Sequence, residues 1–228
     1  MLDHIFEILR VMGATLRIPA SFVVIEFIGT MAFAISGIRL ASAKKFDWFG
    51  AYIVGMATAI GGGTLRDVML GIPPFWMTNS IYVICCGLAL LWVILFGKRI
   101  IRQQSTWFIF DTIGLALFNI IGIEKTINMH YPLWMAVIMG SVTGAAGGVI
   151  RDILINEIPL IFRKDIYAVA CILGGIIYII AYKIDMPAEI SAILSAFTVI
   201  IIRILAVKYH WQLPILKGDD NNPEQENK

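Results

Sequence analysis

Gly61-Gly62-Gly63-Thr64-Leu65-Arg66-Asp67 returns along the chain as Ala146-Gly147-Gly148-Val149-Ile150-Arg151-Asp152, 85 residues further on. The same shift carries Glu26 onto Asp111, Gly29 onto Gly114, Gly37 onto Gly122 and Gly55 onto Gly140, without a gap. It also carries Thr58 onto Thr143, Pro74 onto Pro159, Tyr82 onto Tyr167 and Cys86 onto Cys171. Each copy sets a glycine cluster and an Arg-Asp pair inside an apolar stretch. A duplicated, glycine-rich helix that carries charge through apolar sequence is the pattern of a transport pathway formed between two repeats.

Composition places that pattern in a membrane. Apolar residues make up 59% of the 228 and charged residues 15%, and mean hydropathy is +0.82. A soluble domain of this size has too little interior to bury so much apolar surface. The net charge of +2 argues against nucleic acid as a partner. Asp3, Glu7 and Arg10 make the first 18 residues unlike a cleavable signal peptide; they read as an amphipathic segment on the membrane surface. Cys85, Cys86 and Cys171 lie in apolar runs without metal-ligand spacing and read as buried thiols.

Seven apolar stretches, near 22–41, 48–70, 79–97, 106–123, 132–155, 165–182 and 188–207, each approach the roughly 20 residues that cross a bilayer. Eleven basic residues fall on one side: Arg39, Lys44, Lys45, Lys98, Arg99, Arg102, Arg163, Lys164, Lys208, Lys217 and Lys228. Four fall on the other: Arg10, Arg17, Lys125 and Lys183. The positive-inside rule then puts the N-terminus outside and the C-terminus in the cytoplasm, in a plasma (inner) membrane. Three spans per repeat make the second copy enter upside down. The expected fold class is an all-α membrane protein with seven transmembrane helices, a 3+3 inverted repeat plus a seventh helix. The parts are an amphipathic N-terminal segment (1–21), a first three-helix repeat (22–104) and a second, inverted one (105–184). A seventh transmembrane helix (185–208) and a polar tail (209–228) complete the chain. The tail matches no folded pattern.

Inversion gives the charges matching depths: Glu26 with Arg66 near the outer side, Asp111 with Arg151 near the inner side. Neighbouring helical residues point in different directions, so Arg66 with Asp67, and Arg151 with Asp152, are the fallback pairs. Snorkelling is the alternative for Arg66, which lies about 28 Å of helix rise beyond Asp47. Arg203 has no repeat counterpart and reads as a snorkelling residue. The glycines have two readings, close helix packing or a kink or break at mid-membrane; three in a row exceed what packing requires, so a kink or break is the expectation. A break would free carbonyls near Ala59 and Ile60 for a cation, or amides of Gly63, Thr64 and Leu65 for an anion.

The doubled motif and its trailing prolines, Pro74 and Pro159, resemble the paired domains of prokaryotic trimeric intracellular cation channel homologues, also catalogued as glycine transporter domains. The resemblance covers residues 22–207. It implies a homotrimer with one pore per protomer, lined by kinked second and fifth helices with the first and fourth. That pore would pass monovalent cations, chiefly potassium. Its lining and kinks would involve Gly61, Gly62, Gly63, Thr64, Ala146, Gly147, Gly148 and Asn119. Animal members carry Lys-Glu-Val after the glycines of the second helix; here the chain reads Thr64-Leu65-Arg66-Asp67, so their lipid regulation does not carry over.

Other chemistries find no support. Gly61-Gly62-Gly63 is not followed by Lys-Ser/Thr as in a phosphate loop. No metal or nucleophile motif occurs, and His4, His130 and His210 fall at termini or loops. An enzyme, a cofactor and a bound metal are therefore not expected. Asn119 is read equally as pore lining and as an interhelical hydrogen-bonding group. Trp48, Trp107 and Trp134 read as interfacial anchors. The alternative function is secondary transport of glycine or a similar small amino acid; a third is a dry assembly scaffold. No carboxylate lies between Gly55 and Gly63 or between Gly140 and Gly148, which favours a channel over an ion-coupled carrier.

Overall fold

Asp47 opens the glycine-rich helix: its Oδ1 accepts a hydrogen bond from the Gly50 amide at 2.7 Å, a side-chain N-cap. The computed structural model describes residues 20–100, 106–163 and 166–211. Residues 1–19 of the amphipathic segment, Arg102, Lys164 and nearly all of the polar tail lie outside those residues, while Ala20 and Ser21, assigned to that segment, begin the first helix. Among the described residues seven long helices follow in order: α1 (Ala20–Ala43), α2 (Trp48–Met69), α3 (Ile81–Ile100), α4 (Thr106–Asn128), α5 (Leu133–Leu154), α6 (Ala168–Lys183) and α7 (Ala188–Lys208). A one-turn helix, Phe75–Thr78, follows α2, and a 3-10 turn, Leu160–Phe162, follows α5.

The duplication extends to backbone conformation where residue types differ. Gly71 (φ 72°) ends α2 and Asn156 (φ 56°), its equivalent, ends α5, both left-handed residues of the kind that close helices. Lys45 (φ 61°) and His130 (φ 60°), also equivalent, turn the chain after α1 and α4.

Packing repeats as well. Helix α1 lies against α2 and α3 as α4 lies against α5 and α6, while α1 meets α4 and α2 meets α5 between the repeats. Phe33 and its equivalent Phe118 stack with centroids 5.4 Å apart and planes 12° apart. Contacts between equivalent positions are what a two-fold relation produces. Helix α7 closes one flank, against α6 and α4.

Polarity runs inside out. Glu26, Arg66, Asp67, Asp111, Arg151 and Asp152 are buried, whereas Ile84, Leu88, Leu91 and Leu95 form an exposed apolar stripe on α3. Ile190, Ile193, Leu194, Phe197, Ile201 and Ile204 do the same on α7. Such stripes suit hydrocarbon rather than water, and helices α4, α5, α7 and most of α1 are long and apolar enough to cross it. This is an all-helical membrane protein. Several buried helical hydroxyls bond back to the preceding turn, Thr58 to the Val54 carbonyl at 2.6 Å and Thr126 to that of Gly122 at 2.7 Å.

The glycine clusters depart from the expectation of a broken helix. Helices α2 and α5 run without interruption through Gly61-Gly62-Gly63 and Gly147-Gly148. No backbone group is freed there to hold an ion. The reason is close approach. A Cβ on Gly62 would fall within 3.0 Å of the Thr143 carbonyl oxygen, and one on Gly147 equally close to that of Thr58. Only glycine lets the two backbones touch.

Candidate functional site

Two buried charge clusters flank that crossing, one built on each repeat. In the first, Arg66 at the end of α2 is fully buried, and its Nε donates to Asp67 Oδ1 at 2.8 Å. Asp67 Oδ2 accepts from the Phe75 amide at 2.9 Å, so one carboxylate ties the guanidinium to the one-turn helix that follows Pro74. Glu26 on α1 lies 4.0 Å from Arg66 Nη2. It accepts from the Tyr82 hydroxyl at 2.7 Å and from Lys125 Nζ at 3.3 Å. Lys125 comes from α4, in the other repeat, and is also 4.0 Å from Asp67.

The second cluster repeats the plan. Arg151 Nε donates to Asp152 Oδ1 at 2.9 Å, and Asp152 Oδ2 accepts from the Leu160 amide at 3.0 Å. Arg151 Nη1 donates to Asp111 and, at 3.0 Å, to Ser36 of the first repeat. Tyr167, equivalent to Tyr82, donates to Asp111 at 3.5 Å. Arg203 from α7 brings Nη2 to 3.9 Å from Asp111 Oδ2.

Several sequence expectations are revised by this geometry. The Arg66–Asp67 and Arg151–Asp152 neighbours bond directly: the arginine is long enough to fold back to the next residue, and the aspartate is fixed by the loop amide. Glu26 is a longer-range partner of Arg66 than Asp67 is, whereas Asp111 bonds Arg151 directly. Lys125 does not end its span at the surface; α4 continues to Asn128 and the ammonium is 6% exposed. Arg203 does not snorkel, being 1% exposed with its guanidinium carbon 4.8 Å from the Tyr167 ring centroid and 4.9 Å from that of Phe108. Trp107 packs 6.0 Å from the Arg151 guanidinium, while Trp48 and Trp134 project from the surface.

Around the crossing, Gly61 and Ala146 are half-buried and Gly62, Gly63, Gly147 and Gly148 buried. A Cβ on Gly63 would strike the Phe75 ring, and one on Gly148 the Tyr167 hydroxyl. Thr64 donates to the Ile60 carbonyl at 2.7 Å and accepts from Trp76 Nε1 at 3.0 Å. Asn119 Nδ2 donates to the Cys171 carbonyl at 3.2 Å, tying α4 to α6. At the crossing the backbones of α2 and α5 are in direct contact. Ser36 and the tyrosines are site residues that sequence reasoning left without a role, and Lys125 and Arg203 are ones it placed towards the membrane surface. A charged residue inside an apolar run was the available signal for Arg203, and repetition in both copies for Tyr82 and Tyr167.

Outside the spans, Lys44 lies 2.5 Å and Arg163 3.1 Å from Glu157. The Lys44 hydrogen bond, helped by Arg163, holds the Glu157 carboxyl below its ordinary value.

Known proteins resemble this chain in sequence and fold. The glycine transporter family matches residues 23–98 and again 108–183, two segments offset by 85 residues, as the motif is. The UPF0126 inner membrane protein YadS of Escherichia coli (strain K12) is 39% identical over 202 residues, 86% of this chain and 97% of that protein. The UPF0126 membrane protein YvgT of Bacillus subtilis (strain 168) is 33% identical, covering 83% and 94%. Among solved structures, a TRIC cation channel superposes with TM-score 0.76 at 36% identity, over 87% of this chain and 98% of that one. The TRIC orthologue from Rhodobacter sphaeroides gives 0.79 at 28% identity, over 84% and 100%. The chain belongs to the glycine transporter family, in two tandem copies, and has the fold of the prokaryotic TRIC channels.

Proposed function

We propose that this protein is a homotrimeric channel of the bacterial inner membrane for monovalent cations, chiefly potassium, with one pathway in each protomer between its repeats. The observation that carries the reading is the likeness, over nearly the whole chain, to a solved TRIC cation channel. Helices α2 and α5 line the pathway with α1 and α4, and the glycine crossing is its constriction, opening when the two backbones part. The two charge clusters hold the ends of α2 and α5 while leaving mid-membrane free of carboxylate, as a weakly binding cation path requires. Seven spans form a 3+3 inverted repeat with α7 appended, supported by the reciprocal contacts of equivalent residues. The N-terminus is outside. Lys125 and Arg39 are buried and drop out of the loop count, but ten basic residues against three keep the same orientation.

Transport of glycine is the second reading, carried by the family's name. A carrier of this kind uses broken helices whose ends face the substrate, and α2 and α5 are continuous. The two readings separate in one experiment. Purified protein in liposomes should pass potassium down its gradient without concentrating labelled glycine. Glycine uptake in vesicles that never conduct potassium would replace the channel by a carrier.

A further inference from the structure

Helix α7 lies outside the repeat, yet its Arg203 is buried against the second cluster. The first cluster balances two carboxylates, Glu26 and Asp67, with two cations. Arg66 comes from the same repeat, and Lys125 is delivered across the interface by α4. Subtracting the 85-residue shift from Lys125 gives Leu40 on α1. The second cluster therefore cannot gain its second cation by the equivalent route. Helix α1 does reach it: Ser36, one turn before Leu40, accepts from Arg151 Nη1 at 3.0 Å. Ser36 itself is neutral.

Asp111 and Asp152 would then share Arg151 alone, leaving one negative charge uncompensated in a buried site, which is costly. The Asp111 oxygen turned away from Arg151, Oδ2, accepts no hydrogen bond. The cation facing it is Arg203, with Nη2 at 3.9 Å. Tyr167 and Phe108 stack on this guanidinium, and its Nη1 donates to the Ile166 carbonyl at 3.4 Å. Glu26 likewise has Lys125 beside it and Tyr82 donating to it. The correspondence is of role, not of chain position.

We propose that Arg203 is the counter-charge of the second cluster, supplying from α7 the positive charge that Lys125 supplies to the first and that Leu40 withholds. Helix α7 is thus an electrostatic part of the second repeat. Arg203 is a positioning residue that acts through Asp111 on Arg151.

The test is charge rescue in the full-length protein, read as the thermal unfolding midpoint in detergent. Arg203→Gln should lower the midpoint by about 5–15 °C, and Arg203→Lys should retain most of the wild-type value. Combining Arg203→Gln with Asp111→Asn restores the balance of one cation to one carboxylate and should recover at least half of the loss. If Arg203→Gln alone yields no folded protein, folded protein from the double variant is the same result. A double variant no better than Arg203→Gln would overturn the proposal, because an arginine that only packs cannot be rescued by removing a carboxylate. Leu40→Lys in the Arg203→Gln background should also recover stability. Its failure beside a successful Asp111→Asn rescue would overturn the equivalence with Leu40 while leaving the counter-charge standing.

Discussion

Gly62 and Gly147 face each other at the crossing of α2 and α5, so closely that a Cβ on Gly62 would lie 3.2 Å from the backbone nitrogen of Gly147. The two are equivalent positions of the repeat, and each packs against the carbonyl of the other's upstream threonine, Thr143 and Thr58. This backbone contact therefore helps to join the two halves of the protein. A residue that makes a helix weak in isolation here makes a helix pair possible.

Gly62→Ala or Gly147→Ala should cost about 1–3 kcal/mol, because the obstacle is backbone and cannot rotate away. Gly87 on α3 has nothing within 4 Å of its would-be Cβ, so Gly87→Ala should be neutral or up to about 1 kcal/mol stabilising. Unfolding midpoints of the three variants check this, and equal effects at all three would remove the crossing as the explanation.

Replacing Arg66 or Arg151 with Gln should each cost about 3–5 kcal/mol, since each leaves buried carboxylates short of a cation. Chemical denaturation in mixed micelles measures the loss. A cost under about 1 kcal/mol, the value for exposed pairs, would show the clusters to be hydrated.

Gly71 and Asn156 occupy the same left-handed turn. Gly71→Asn and Asn156→Gly should therefore both be tolerated, whereas Gly71→Val should cost about 1–2 kcal/mol because a branched Cβ collides in that region. Comparing the unfolding midpoints of these variants decides it.

Glu157, held below its ordinary value by Lys44, gives a pH dependence whose sign follows directly. Its depressed folded-state pKa means the contribution is present above the ordinary value of 4.5 and fades as pH falls through the lower folded value. Lys44→Ala should move the Glu157 carboxyl titration, followed by carbon NMR, up toward 4.5. An unmoved midpoint would exclude the lysine as its cause.

Much of the fold was legible along the chain. Composition identified a membrane protein, and the doubled Gly-Gly-x-x-Arg-Asp signature located both long glycine helices. Asp111 could be matched with Arg151 by depth alone. Reading failed where a residue's role depends on which helix approaches it. Lys125 looked like a loop residue because it falls just beyond the apolar stretch 106–123, yet it crosses to the other repeat to reach Glu26. Three consecutive glycines pointed to a kink or break more than to close packing, whereas both helices continue through their clusters and the glycines serve the contact between them.

The sequence by itself determined what repeats: two copies offset by 85 residues, their apolar helices, their Arg-Asp pairs and their turns. These are local or periodic properties, set by residue type and interval. Tertiary structure decided that α2 and α5 stay whole, that Asp67 and Asp152 bond their own neighbours, and that Lys125 and Arg203 bring the second cation to each cluster. Those outcomes depend on the distance and angle at which remote helices cross, and in a low-dielectric interior the cost of an unmatched charge selects the crossing that pairs it.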